Sequence, residues 1–163
     1  MAIIVTGASG LLGTALVEAL RAEGREVVRL VRRPPRAPDE AFWQPAEKVI
    51  DQAVFQGAEA VVHLAGASIG DKRWNAAYKR ELVDSRVEST RVLVEALRGV
   101  PDPPGVLLSA SGVDFYGDTG DRVIDESQGK GTGFLADMCE LWEGEARRAG
   151  EAGIRTVQAR TGL

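Results

Sequence analysis

An α/β chain with a doubly wound parallel sheet is the fold class this sequence predicts, and three observations predict it. Short β-branched apolar runs recur along the chain, amphipathic helical patterns separate them, and the first run ends in a glycine-rich turn that opens a helix. Strands that alternate with helices in this way imply right-handed crossovers and a sheet covered on both faces. At 163 residues the chain has the usual size of one domain, so residues 1–163 are taken as a single unit.

"AIIVTG" is a short buried strand, and "LLGTALVEALRAEG" is a helix that Gly24 closes. "EVVRLVR" is the second strand. "RRPPRAPDE" is a proline-rich, charged loop, because neither a helix nor a central strand tolerates that spacing of prolines. "AFWQP" follows as a short strand, "AEKVIDQAVFQG" as a weaker helix and "AEAVVHLAG" as another buried strand. The pattern "WNAAYKRELVDSRVESTRVLVEALRG" aligns Tyr78, Leu82, Ser85, Ser89, Val92 and Ala96 along one helical stripe, flanked by Leu93 and Leu97. "GVLLSAS" is a further strand. The stretch "GFLADMCELWEGEARRAG", residues 133–150, is an amphipathic helix, and "IRTVQAR" is the last strand.

Composition narrows the function. A net charge of −4 argues against nucleic-acid or anionic-membrane partners, which favour a basic face, and leaves room for a small anionic ligand. One cysteine excludes an internal disulfide, and the N-terminus lacks a basic region ahead of a long apolar one. No apolar run approaches the ~20 residues needed to span a bilayer. A cytoplasmic location is the expectation.

In a doubly wound sheet, ligands bind beyond the carboxyl ends of the strands. Those ends are "TGASGLLG", "VRR", "LAGAS" and "SASG". In the first, Gly7 permits the turn, Gly10 lets a phosphate approach the backbone, and Gly13 lets the helix pack closely on the sheet. Free N–H groups and the helix dipole then face a pyrophosphate, which points to dinucleotide binding. A binder of NAD keeps an acidic residue about 20 residues after the glycines, whereas this chain offers Arg32 and Arg33 and no carboxylate until Asp39. An arginine there suits a 2′-phosphate, so NADP is expected ahead of NAD. Arg32 leads Arg33 because it lies nearer the strand; a solvated basic loop is the plainer alternative.

"TGASGLLG", "VVHLAGAS", "SRVESTRVLVEAL" and "SASGVDFYGD" together resemble the extended short-chain dehydrogenase/reductases. "DKRW" followed by "SRVEST", "FYGD" and "CELWE" is similar to the atypical branch known as epimerase-family proteins, related to NAD-dependent epimerase/dehydratases and sugar-nucleotide epimerases. The resemblance implies a Rossmann-type domain with NADP held by Gly7, Ser9, Gly10, Leu11, Leu12, Arg32, Leu64, Ala65, Gly66 and the "SAS" segment that includes Ser109. It also implies that active relatives carry Tyr-x-x-x-Lys on the helix that opens at Gly133. With Glu143 taken as the acidic residue that follows the lysine, Leu135 and Cys139 stand at those two positions. Both usual catalytic groups are absent.

Ser111 matches the substrate-polarising Ser/Thr region of the family, with Ser109 as the alternative. Tyr116 is a candidate proton donor or the structural tyrosine of a "YGD" turn, and Asp114 is a loop residue. Cys139 has Asp137 and Glu140 for neighbours instead of cations, which favours an inert buried thiol. His63, the only histidine, fits a satisfied core residue better than a base or metal ligand. Lys72, Arg73 and Trp74 form either a functional cluster or an ordinary charged loop with an anchoring tryptophan.

Two functional classes follow. One is an NADP-binding epimerase or oxidoreductase acting on a small molecule; the other is a cofactor-binding sensor or scaffold without turnover. The resemblance further implies that most of the C-terminal substrate lobe lies outside these residues, and that relatives dimerise through long helices. From this come the expectations that the chain alone binds NADP without useful turnover of a sugar nucleotide, and that the open edge of the last strand favours self-association.

Overall fold

Ile3, Ile4 and Val5 alternate between the two faces of the sheet, and both faces are buried. Ile4 joins Leu93, Val94 and Leu97 in the larger core, whereas Ile3 and Val5 pack with Val17 in a smaller one. That alternation makes the first strand a central one. The computed structural model describes residues 1–162.

In chain order the elements are β1 (Ile3–Thr6), α1 (Leu11–Ala22), β2 (Val27–Val31), β3 (Glu40–Gln44), β4 (Val49–Ile50), β5 (Ala60–His63), α2 (Ala76–Arg98), β6 (Val106–Gly112), α3 (Phe134–Arg147) and β7 (Arg155–Thr161). They build one sheet of order β4-β3-β2-β1-β5-β6-β7, parallel except where β4 pairs antiparallel with β3. The doubly wound α/β fold is therefore present. Val17 of α1 lies on the side of Ile3 and Val5, while α2 and Ala146 of α3 lie on the side of Ile4, Val61 and Leu107. Among the described residues, no helix is long and apolar enough to cross a membrane.

Two elements depart from the sequence expectation. Residues 46–57 do not form a helix: a 3-10 turn over Pro45–Glu47 leads through Lys48, at φ 55°, into β4, and a second 3-10 turn covers Gln52–Phe55. β-Branched Val49 and Ile50 pair with Gln44 and Trp43, and the Asp51 side chain then accepts the Ala53 N–H at 3.1 Å, so no continuous helix survives between them. The helix expected over 133–150 ends at Arg147 and tightens into a 3-10 turn over Arg148–Ala152, closed by Gly153 at φ 77°.

No helix joins β2 to β3. The strands overlap only over Arg29–Val31 and Glu40–Phe42, so residues 32–39 need step back a short distance, and a proline-rich strap suffices. Asp39 pairs with Arg21 and Arg29, and Glu40 with Arg29 and Arg33. These ion pairs fasten the strap.

Below the end of β1, Thr6 Oγ1 accepts the N–H groups of Leu64 (3.2 Å) and Ala65 (3.3 Å), so its own proton points to His63 Nδ1 at 2.7 Å. Thr90 Oγ1 donates to the Arg86 carbonyl at 2.6 Å and accepts from His63 Nε2 at 2.9 Å. These partners fix the neutral tautomer with the proton on Nε2. His63 is the core residue its sequence context suggests.

Burial pushes the His63 pKa down from 6.5 to about 4. Between those values the unfolded chain takes a proton that the folded chain refuses, so stability is full above pH 6.5 and is lost as pH falls toward 4. The shift corresponds to about 3 kcal/mol. Urea titrations at stepped pH should show that loss, and His63→Gln should flatten the slope; a parent slope unchanged by the substitution contradicts the assignment.

Candidate functional site

Residues 7–10 turn the chain from β1 into α1 with no room for a side chain at Gly7. Gly7 has φ 66°, and a Cβ there would lie 2.7 Å from the Leu64 carbonyl carbon. A Cβ on Gly13 would lie 2.1 Å from the Gly7 oxygen, so the first turn of α1 rests directly on the loop. Gly10 precedes the helix in an extended conformation and provides no side-chain cap, and the first turn carries no acidic residue. The leading N–H groups and the positive end of the helix dipole are thus left for an anion.

A groove of about 1280 Å³ opens at this loop. Gly7, Ser9 and Gly10 form its centre, Arg32 and Arg33 flank one side, and Leu64, Ala65 and Gly66 form the other. The groove lies at the carboxyl ends of β1, β2 and β5, where a doubly wound sheet binds its ligands. Leu11 and Leu12 are 90% and 57% exposed, outside the groove's lining, and Gly13 is buried beneath the loop. Arg32 makes no ion pair or side-chain hydrogen bond among the described residues. Arg33 instead gives Nη1 and Nη2 to Glu40 at 2.8 and 2.7 Å, and with the Arg36 N–H it holds the Glu40 carboxyl at a pKa of about 2.

Ser109, Ser111 and Tyr116 do not line the groove. Ser109 and Ser111 are buried within β6, and Tyr116 lies in the 3-10 turn that follows it. The Ser111 hydroxyl donates to Glu143 at 2.7 Å. Arg160 of β7 gives Nε and Nη2 to the two Glu143 oxygens at 2.7 and 2.8 Å, and Nη1 to the Tyr116 hydroxyl at 2.8 Å. Its guanidinium also lies 3.6 Å from the centre of the Phe115 ring. Burial pushes the Glu143 carboxyl up, but Arg160, Ser111 and Arg147 outweigh it and hold the group below its ordinary value. The two expected catalytic residues are therefore joined by one buried ion pair.

Sequence reasoning used Glu143 only to set a register and overlooked Arg160. The available signal was a pair of opposite charges at core-facing positions of a helix and a strand.

Cys139 is buried against β6. Burial pushes its thiol up against the opposing effect of the Gly112 backbone and the Ser111 hydroxyl, so it is not an activated nucleophile. Leu135 packs with Tyr78, Leu82 and Met138. Asp114 is exposed. Lys72 lines the groove, pairs with Glu81 at 3.1 Å and sits 5.0 Å over the Tyr78 ring. Trp74 donates Nε1 to the Ile69 carbonyl at 2.8 Å and meets Phe134 edge-on, which makes it an anchor; Arg73 is exposed. Tyr78, Ser85 and Ser89 also line the groove, and the polar members of the α2 stripe were the sequence signal for them. Among the described residues, no group of three or more His, Cys, Asp or Glu side chains is arranged to hold a metal ion.

The family profile of the NAD dependent epimerase/dehydratase family matches residues 3–133. An epimerase family protein of Mycobacterium bovis is 44% identical over 163 residues, covering 99% of this chain and 53% of its own length. A Bos taurus epimerase family protein, SDR39U1, is 34% identical and covers 100% of this chain and 54% of its own length. The crystal structure of human epimerase family protein SDR39U1 with NADPH superposes with a TM-score of 0.86 at 31% identity, over 100% of this chain and 54% of that one. A nucleoside-diphosphate sugar epimerase from Corynebacterium glutamicum also gives 0.86, at 36% identity, over 100% of this chain and 34% of that one. The chain spans about half the length of the curated relatives it matches.

Glu143→Ala should destabilise the fold by about 3 to 5 kcal/mol, because it leaves Arg160 part-buried without its carboxylate. Ser111→Ala removes one hydrogen bond to a charged group and should cost about 1.5 to 3 kcal/mol. Urea unfolding of both variants checks the ranking, and a Glu143→Ala protein as stable as the parent contradicts it.

Proposed function

Because the chain belongs to the NAD dependent epimerase/dehydratase family, we propose that it binds NADP(H) in the groove at the glycine loop and serves an epimerase- or oxidoreductase-like reaction on a small molecule. The observation that carries the cofactor choice is Arg32. It lines the groove at the end of β2 with no carboxylate partner among the described residues, while Asp39 and Glu40 are engaged by Arg21, Arg29 and Arg33. No acidic side chain is left beside β2 to select a free ribose 2′-hydroxyl, and a guanidinium suits a 2′-phosphate. The NADPH in the human relative's structure supports the same choice.

The glycine cradle fits the pyrophosphate for a reason internal to the chain: Cβ atoms at Gly7 and Gly13 would strike Leu64 and the Gly7 carbonyl, and α1 begins without a competing side-chain cap. In this reading Gly7, Ser9, Gly10 and the first amides of α1 hold the phosphates, and Leu64, Ala65 and Gly66 form the opposite wall. When bound, the nicotinamide supplies hydride chemistry. The residues of this chain bind and orient it. Neither Leu135 nor the buried Cys139 provides an acid or base on α3, and Tyr116 and Ser111 are engaged with Arg160 and Glu143. That engagement favours the second reading, a dinucleotide-binding protein that senses or scaffolds without rapid turnover.

Arg32→Ala should weaken NADP(H) binding by ~1 to 3 kcal/mol and leave NAD(H) nearly unchanged, the range for a charge-assisted contact. Titration calorimetry with both cofactors measures it. Equal affinity of the parent protein for the two overturns the cofactor choice. Any carbonyl reduction by NADPH should be slow and indifferent to Cys139→Ala; a large rate loss in that variant, with its fold intact, shows the thiol to be reactive after all.

A further inference from the structure

Part-buried arginines in this protein meet carboxylates in a repeated way. Arg160 gives Nε and Nη2 to Glu143, Arg29 gives the same two nitrogens to Asp39, and Arg91 gives both to Glu145. Arg86 breaks the pattern. Its Nη1 donates to the Leu82 carbonyl, one turn back on α2, at 3.2 Å and to Oγ of the adjacent Ser85 at 3.5 Å. Its Nε is shut off from solvent and has no hydrogen-bond partner among the described residues. Nη2 also has no partner among those residues, but it is not sealed as Nε is. The edge that elsewhere grips a carboxylate grips nothing in the protein.

The surroundings sharpen the point. Arg86 is half-buried, with the Trp142 ring centre 5.3 Å from its guanidinium carbon. Burial pushes its pKa down, and the groups that oppose this, Cys139 and Tyr78, include no carboxylate. Trp142 Nε1 is a second buried donor without a partner. Desolvating a charge without a counter-ion is costly, so a fold that keeps one there has a use for it. Gly66 shows where the use lies. A Cβ on that residue would come 3.2 Å from the Arg86 guanidinium carbon and 3.4 Å from Nη1, so the guanidinium rests on the backbone of the very segment that lines the groove.

We propose that Arg86 receives a carboxylate of the small-molecule ligand on its Nε–Nη2 edge, behind Gly66 and beside Cys139 and Trp142. This deepens the cofactor reading and rests on it, because it assigns the substrate a class: an acid whose carboxylate docks away from the 2′-phosphate site. Arg32 follows β2 and Gly66 follows β5, two strands away across the glycine loop of β1. A monoanionic carboxylate matches a single guanidinium fork, whereas a dianionic phosphate wants a second cation. Arg86 is not itself part of the groove's lining, so bidentate binding requires its guanidinium to turn toward the groove across Gly66, which has no side chain to stand in the way.

The test is a titration followed by the NMR resonances of Arg86 Nε–H and Trp142 Nε1–H. Succinate, acetamide and inorganic phosphate are the probes, each added with and without saturating NADPH. Succinate should shift both resonances saturably, and acetamide should not. Arg86→Lys, which keeps the charge and loses the fork, should weaken succinate by about tenfold or more while NADPH affinity stays unchanged. No response of the parent protein to succinate overturns the proposal, as does a response to phosphate alone. So does loss of NADPH and succinate binding together in Arg86→Lys, which makes Arg86 part of the cofactor groove or the fold. If instead NADPH leaves the Gly7–Gly10 amides unmoved while succinate still shifts Arg86, the cofactor reading fails and the carboxylate site stands.

Discussion

The groove depends on one hydroxyl. Thr6 Oγ1 sits at the end of β1, where it accepts the amides of Leu64 and Ala65 and turns its proton to His63. Two strand ends are tied together through that atom, and the backbone of Leu64 is brought so near Gly7 that only glycine fits. On the far side of His63, Thr90 links the same chain of bonds to α2. A neutral imidazole is required throughout, because protonated Nδ1 and the Thr6 hydroxyl would present two donors to each other. Loop, wall and helix therefore share a single hydrogen-bonded spine, and the sealed low-dielectric core that keeps His63 uncharged also keeps the groove in shape.

Much of this was legible in the sequence, and the reasons are local. The glycine turn could be placed because its spacing, the strand before it and the helix after it are all set within a dozen or so residues. β1, α1, β2, β5, α2 and β6 follow from periodicity of the same reach. Residues 46–57 misled because a helical pattern of apolar residues is also compatible with turns, and the pairing of Val49 and Ile50 with β3 is settled by tertiary contact. The end of α3 shifted by a few residues because its last turn tightens into 3-10 geometry before Gly153.

The second half of the site was hidden for a different reason. Glu143 and Arg160 lie on different elements, and no local pattern announces that they meet. In the sequence Glu143 serves only to set the register of α3, and Arg160 stands out only once α3 is laid over β6 and β7. Once paired, they take up Ser111 and Tyr116, the two candidate catalytic residues, at the ends of β6 and β7. Arg86 shows the reverse: a charge on α2 is enclosed by Trp142, Cys139 and Gly66 without a carboxylate of its own. Local sequence fixes which groups are present, and packing decides which of them remain available.

The strap between β2 and β3 carries Arg32 on a segment fastened by ion pairs and three prolines, outside both cores. Substitutions along it disturb little buried apolar area, whereas a change in the glycine turn strikes backbone at once. The two demands on a dinucleotide site are thereby separated in space. Under the proposed cofactor binding, grip on the phosphates falls in the tightly constrained glycine turn and discrimination at the ribose in the replaceable strap. A lineage built on this fold can retune which cofactor it prefers by drift in a handful of surface positions, without paying for it in stability.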